Sequence, residues 1–145
     1  MAVGSPAPRP GPKATVLEQL VRIRLADGLA LLETGKPERR SGAIYMAGYS
    51  VECALKYRIC RDLGQDRLEP KHYGHGLCWL AEQTGLWSEL SRDRAQRDKL
   101  AYLETEWNVS MRYERRNYSR DEVLRFLKKA EELTKWLYDT SSPPG

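Results

Sequence analysis

Histidine and cysteine are scarce here, with two histidines and three cysteines in 145 residues. The cysteines form no C-x-x-C pair, and His72 and His75 have no carboxylates nearby at a ligating spacing. The pattern of a zinc site is therefore missing, and no metal is expected. Three is also an odd number, and Cys53 and Cys60 would stand about 10 Å apart along a common helix, beyond disulfide reach. Reduced, buried cysteines are expected. No run approaches the roughly 18 apolar residues of a membrane-crossing helix. The N-terminus also lacks the apolar segment of a signal peptide, so a cytoplasmic protein without membrane contact is expected. There is no phosphate-cradling glycine loop and no nucleophile elbow, which removes most enzyme classes and leaves no cofactor to expect. No stretch alternates apolar and polar residues between turn signals, which argues against a sheet.

What is present fits one folded domain. Hydrophobic residues make up 41% and charged residues 30%, the balance of a globular chain, and the formal charge of +4 permits a polyanionic partner without requiring one. Prolines at 6, 8, 10 and 12 fix φ and remove backbone donors, so residues 1–13 are expected to form a disordered leader. Residues 140–145, ending Pro-Pro-Gly, are expected to form a flexible tail. Between them, residues 14–139 are expected to fold as an antiparallel all-α bundle of four to five helices.

The first helix is expected from Thr15, where Thr15 and Glu18 have capping-box spacing, through Leu17, Leu20, Val21, Gly28, Leu31 and Leu32, to a stop at Gly35-Lys36-Pro37. The second, over residues 41–63 with Gly64 as its stop, carries small or apolar residues around much of its circumference. That breadth predicts contact on more than one side, and Ala43, Ala47, Gly48 and Ala54 would allow a second copy to approach closely. Arg58 and Arg61 sit near the negative end of this helix, and Glu52 with Lys56 has the spacing of a surface ion pair. A short third helix follows His75 and closes near Gly85. A fourth is expected over residues 88–112, with its charged first half toward solvent. Ser119 and Glu122 form a second capping box for a fifth helix, whose Val123, Phe126, Leu127, Ala130, Leu133 and Leu137 give the cleanest apolar stripe in the chain.

Two groups of residues are candidates for chemistry. Between the fourth and fifth helices, Arg112, Arg115, Arg116 and Arg120 gather with Tyr113 and Tyr118 beside the positive amino end of a helix, an arrangement suited to phosphate. Arg112 can equally serve the fold, by bonding the last carbonyls of the helix before it. His72 and His75 have the residue type of a general base near neutral pH, with capping or packing at the third helix as the other account.

The segments Tyr49-Ser-Val-Glu52-Cys-Ala-Leu-Lys56, His75-Gly-Leu-Cys-Trp-Leu80 and Ser110-Met-Arg112-Tyr113, in that order before a final amphipathic helix, resemble the HEPN domain (higher eukaryotes and prokaryotes nucleotide-binding) over about residues 15–138. The resemblance implies a helical bundle that is commonly a homodimer. It also implies a setting beside a nucleotidyltransferase-like partner in a toxin-antitoxin or defence system, with RNA or a nucleotide as ligand. Many members are metal-independent ribonucleases whose signature is an arginine followed, after four to six residues, by a histidine. The matching arginine here is Arg112, but Tyr113 follows it where a small polar residue is usual. No histidine lies downstream, and Tyr118 stands six residues on. The resemblance therefore implies a nucleotide- or RNA-binding protein whose status as an enzyme is open. The alternative is an active endoribonuclease using Arg112 with Tyr118 or His75. Tyrosine, with an ordinary pKa near 10, is mostly protonated at neutral pH and suits the role of acid better than that of base.

Overall fold

A computed structural model describes the protein over residues 9–107 and 116–142. Among these residues the chain forms six α-helices and no strand: α1 (Ala14–Glu33), α2 (Arg40–Leu63), α3 (Leu77–Gln83), α4 (Trp87–Arg92), α5 (Arg94–Glu106) and α6 (Arg120–Asp139). Single 3-10 turns at Pro37–Arg39 and Pro70–His72 lead toward α2 and α3.

α2 is the axis of the bundle. It packs on α1, α3 and α6, and burial runs through it almost without a break from Ser50 to Cys60. This explains its lack of a clean stripe, because a helix covered on several sides has no polar face to alternate with. The small residues expected to admit a second copy admit α1 and the Trp107 indole that follows α5 instead. Gly28 of α1 lies so close to the Ala43 carbonyl that an added Cβ would stand 2.9 Å from that oxygen, and Gly48 lies against the Trp107 indole. Ala43, Ala47, Gly48 and Ala54 are thus covered within the chain and supply no argument for a dimer. α6 needs only one covered face and buries its stripe from Val123 to Leu137 against α1, α2 and α5.

Several boundaries depart from the sequence expectation, each for a visible reason. The Thr15 capping box does not form. Ala14 N–H donates to the Asp66 carbonyl at 2.8 Å and Leu68 N–H donates to Pro12 O at 3.0 Å, so the helix starts at Ala14 with Lys13 as an N-cap that makes no side-chain bond. The end of the expected leader is therefore attached: Arg67 also donates to Gly11 O at 3.0 Å. The expected fourth helix is two helices. Asp93 takes an extended conformation and its carboxylate accepts from Gln96 N–H, which ends α4 and caps α5. α5 ends at Glu106, and Trp107 turns away with its indole N–H donating to Tyr45 O at 3.0 Å. The remainder of that expected helix lies outside the described residues. The start of the expected tail is tied down as well, since the Ser142 hydroxyl accepts from Arg58 and donates to Asp62.

Arg58 and Arg61 cap a different helix from the one their positions implied. Arg58 Nη1 donates to the carbonyls of Leu137 and Thr140 at 3.1 and 2.6 Å, and Arg61 Nη1 donates to Tyr138 O at 2.8 Å. Two cations from the end of α2 thus satisfy the orphan carbonyls of α6, which has no basic residue in its own last turn.

Candidate functional site

The basic corner is described from Arg116 onward; Arg112, Tyr113 and Arg115 lie outside the described residues. The start of α2 holds the link 116–119 in place: Arg40 Nη1 donates to Tyr118 O at 3.2 Å and the Ser41 hydroxyl donates to Arg116 O at 3.1 Å. Arg116 and Arg120 are exposed, while Tyr118 is buried. The Arg116 guanidinium stands 4.9 Å above the Tyr118 ring and pairs with Glu106 at 3.4 Å. With one face covered by Arg116 and the residue only 5% exposed, Tyr118 is not placed as an open platform for a stacked base.

The amino end of α6 is also less open than the sequence implied. Both halves of the capping box are present: the Ser119 hydroxyl accepts from Glu122 N–H, and the Glu122 carboxylate accepts from Ser119 N–H. The hydrogen bonds from Ser119 hold the Glu122 carboxyl below its ordinary range. The capping site is thus filled by the chain's own anion, and the corner's attraction for phosphate rests on arginine side chains.

A second cluster lies where α3 begins. Glu52 and Lys56, expected as a surface pair, are both buried, because α2 is covered on this side by α3 and by the chain around Leu68. Glu52 Oε2 accepts from Lys56 Nζ at 3.4 Å, and Glu52 Oε1 lies 2.8 Å from His75 Nδ1. A carboxylate only accepts, so Nδ1 carries the proton and Nε2 is the free corner of the ring. The imidazole is about half exposed, with 54% of its side-chain surface accessible. These groups line an open cavity of about 460 Å³ together with Arg9, Tyr49 and Tyr73. Sequence reasoning missed this grouping, since Glu52 and His75 are 23 residues apart and no periodicity links them. A signal was nevertheless present, in that Glu52 and Lys56 sit among Val51, Cys53, Ala54 and Leu55 with no polar face around them.

His72 does not join this cluster. It is buried with its ring tilted against Trp79, and its Nδ1 has no hydrogen-bond partner. Burial, followed by the neighbouring Lys71 charge, pushes its pKa below the ordinary histidine value. Its neutral form is the one the fold accepts, so the unfolded chain binds the proton more readily. Stability is then expected to be full above about pH 6.5 and to fall as the pH drops below that. Thermal melts of the wild type and His72→Phe between neutral and mildly acid pH test this. An equal acid slope in both proteins would show that His72 is not the cause.

The cysteines offer no nucleophile. Burial above all, with the Glu52 charge second, pushes the Cys53 thiol up to about 12; burial and then Glu104 do the same to Cys78, also to about 12. All three are free, Cys53 and Cys60 buried and Cys78 half-buried. Among the described residues no group of histidine, cysteine and carboxylate side chains could hold a metal ion, and no helix is long and apolar enough to cross a membrane.

The six-helix arrangement, with a central α2 and a final amphipathic helix, meets its decisive comparison in a family model: the HEPN domain model matches residues 24–140. The chain belongs to the HEPN family. No curated protein and no solved structure matches it. HEPN membership carries a nucleotide- or RNA-related function in general terms. The matched span of this HEPN chain takes in both the basic corner and the Glu52–His75 cluster.

Proposed function

We propose that this HEPN protein binds RNA or a nucleotide through the corner formed by Arg112, Arg115, Arg116 and Arg120. On this reading it acts as a homodimer beside a nucleotidyltransferase-like partner in a toxin-antitoxin or defence system. The observation that carries the reading is the exposure of Arg116 and Arg120 at either end of a link that Arg40 and Ser41 hold from behind. The backbone there is fixed, so the arginine heads extend from a rigid base and lose less freedom on meeting a phosphate. Glu106 and Glu122 lie beside them and keep the patch from being a broad positive field, which favours a few discrete contacts over non-specific adhesion.

Four phosphate contacts to single-stranded RNA imply a slope of log affinity against log salt of about −2.8, at roughly −0.7 per contact. Replacing Arg116 and Arg120 together with alanine is expected to reduce that slope by about half, with the helical circular-dichroism signal retained. A wild-type slope near zero, or an unchanged slope in the double variant, would remove the corner from consideration. On this reading the dimer seam is formed by residues other than Ala43, Ala47, Gly48 and Ala54, which are buried within the chain. Light scattering at micromolar concentration is expected to give twice the chain mass, and a monomer mass would sink that part of the proposal.

The ribonuclease alternative has one observation in its favour. Tyr118 is buried, but His75 is half exposed and oriented by a carboxylate, as a general base should be. Cleavage of single-stranded RNA without added metal, lost in both Arg112→Ala and His75→Ala, would establish it. Intact RNA after prolonged incubation would leave the binding reading alone.

A further inference from the structure

We propose that the groove between α1 and α6 is a docking site for one amphipathic helix of a partner protein, a helix that brings carboxylates to Arg22 and Lys135. The site shares no residue with the basic corner and stands independently of the reading above.

α1 and α6 run antiparallel over α2, since the Tyr138 hydroxyl bonds Glu18 at one end and Gly28 lies against Leu127 toward the other. Between them is a groove of about 580 Å³, floored by Ala54 and Tyr57 of α2. From Glu18 to Leu29 on one wall, and from Tyr138 to Leu127 on the other, it extends about three helical turns, roughly 16 Å. It is open along that length: Tyr138 at one end is 50% exposed, Leu29 at the other 46%, and Ala26 between them is exposed as well. A small-molecule site encloses most of its ligand, so an open trough of this length suits an extended occupant.

The relief of the walls is that of a helix-packing surface. Glu18, Arg22 and Ala26 form one i, i+4 row on α1, and Leu127, Glu131 and Lys135 form another on α6. Such rows are the ridges between which a third helix seats its own side chains. A helix laid there would cover Val21, Leu25 and Leu29 with apolar residues at i, i+3 or i+4, and i+7.

The charges choose among occupants. The Tyr138 hydroxyl is committed to Glu18 and the Thr134 hydroxyl donates to Glu131 O at 3.0 Å. Among the described residues Arg22, Glu131 and Lys135 form no ion pair. Counted from the Glu18 end, Arg22 and Lys135 stand at about the same level, one turn in and on opposite walls. Glu131 follows a turn later, and beyond it the groove is apolar to Leu29 and Leu127. Two cations and two carboxylates cancel, so the groove exerts no net pull on a nucleic acid or an anionic membrane. A second copy related by a two-fold axis would lay trough on trough and leave both floors uncovered. The occupant that matches is convex and apolar along one stripe, with a carboxylate on each flank at the level of the two cations.

The test uses the full chain and a fluorescein-labelled peptide of about 18 residues, long enough to hold a helix. Leucines three and four apart form its stripe and one glutamate stands on each flank; a control peptide carries lysine in place of both glutamates. Fluorescence anisotropy is expected to give a Kd of roughly 10 μM for the first peptide and binding at least tenfold weaker for the control. Arg22→Glu with Lys135→Glu, both at exposed positions, is expected to reverse that preference, and Ala26→Trp, which fills the groove, to weaken both peptides at least tenfold. Circular dichroism confirms that each variant is folded. Equal affinity for the two peptides, or no binding at about 100 μM, overturns the proposal. If laurate displaces the peptide and binds more tightly, the occupant is an apolar small molecule. If light scattering shows the peptide splitting a dimer, the groove is the seam between copies. Either result overturns the partner helix.

Discussion

Replacing Arg58 with alanine is expected to destabilise the protein by about 3–5 kcal/mol, the range seen when one partner of a buried ion pair is removed. Arg58 is fully buried and makes four bonds: to Asp62 at 3.0 Å, to the Leu137 and Thr140 carbonyls at 3.1 and 2.6 Å, and to the Ser142 hydroxyl at 2.6 Å. Burial lowers its pKa and the Asp62 charge opposes that shift, but a guanidinium stays protonated at any pH the fold survives. Truncation therefore leaves a carboxylate without its cation and two helix-end carbonyls without a donor, in a place water enters poorly. At about 2–4 °C per kcal/mol for a domain near this size, the thermal midpoint should fall by roughly 10 °C. Arg58→Lys should recover only part of the loss, since one ammonium cannot reproduce the planar fork that reaches α2 and α6 together. A midpoint within about 3 °C of wild type for Arg58→Ala would show that the clasp does not hold the two helices.

The character of that clasp explains what the sequence could disclose and what it could not. The start of α6 and its buried face were legible, because its capping box and its stripe from Val123 to Leu137 are local signals that the tertiary structure only needed to accept. α2 was legible as a helix but not as an axis. Its encirclement by α1, α3 and α6 looks the same, in one dimension, as an unsatisfied face awaiting a second copy. The break at Asp93 was hidden for a related reason. The charged run around it suits a solvated helix, and only the Asp93–Gln96 cap marks the change of direction. Thr15 failed as a cap although its spacing was right, because pairing of residues 12–14 with 66–68 set the start of α1 from outside.

The candidate sites divide in the same way. The basic corner could be seen because its arginines are neighbours in the chain. What could not be seen was the reduction of its pull on anions by Glu106 and by the filled cap, both of which depend on distances in space. The Glu52–Lys56–His75 group was visible only as two unrelated fragments. Its assembly requires the start of α3 to dock on α2, a contact between residues 23 apart that no helical period encodes.

The second large effect joins stability to the candidate site. Gly48 lies against the Trp107 indole so closely that a methyl group there would overlap the ring at Cγ, Cδ1 and Nε1. Gly48→Ala is expected to cost about 2–4 kcal/mol, combining overpacking of about 1–3 kcal/mol with loss of the indole bond to Tyr45 O, about 1 kcal/mol. Neighbouring atoms cannot easily yield, because Trp107 is 3% exposed and its ring also packs against Tyr45 at a centroid distance of 6.2 Å. The Tyr45 carbonyl that receives the indole N–H stands about one turn along α2 from Arg40 and Ser41, which hold the link 116–119, so disturbing that contact should also disturb the link. The same variant is thus expected to weaken RNA binding while leaving the arginines in the sequence. A double-mutant cycle with Trp107→Ala separates the two effects: if the clash is the cause, removing the ring relieves it and the pair costs less than the sum by at least about 0.5 kcal/mol. Additive costs would mean that Gly48 matters for some reason other than the room it leaves for Trp107.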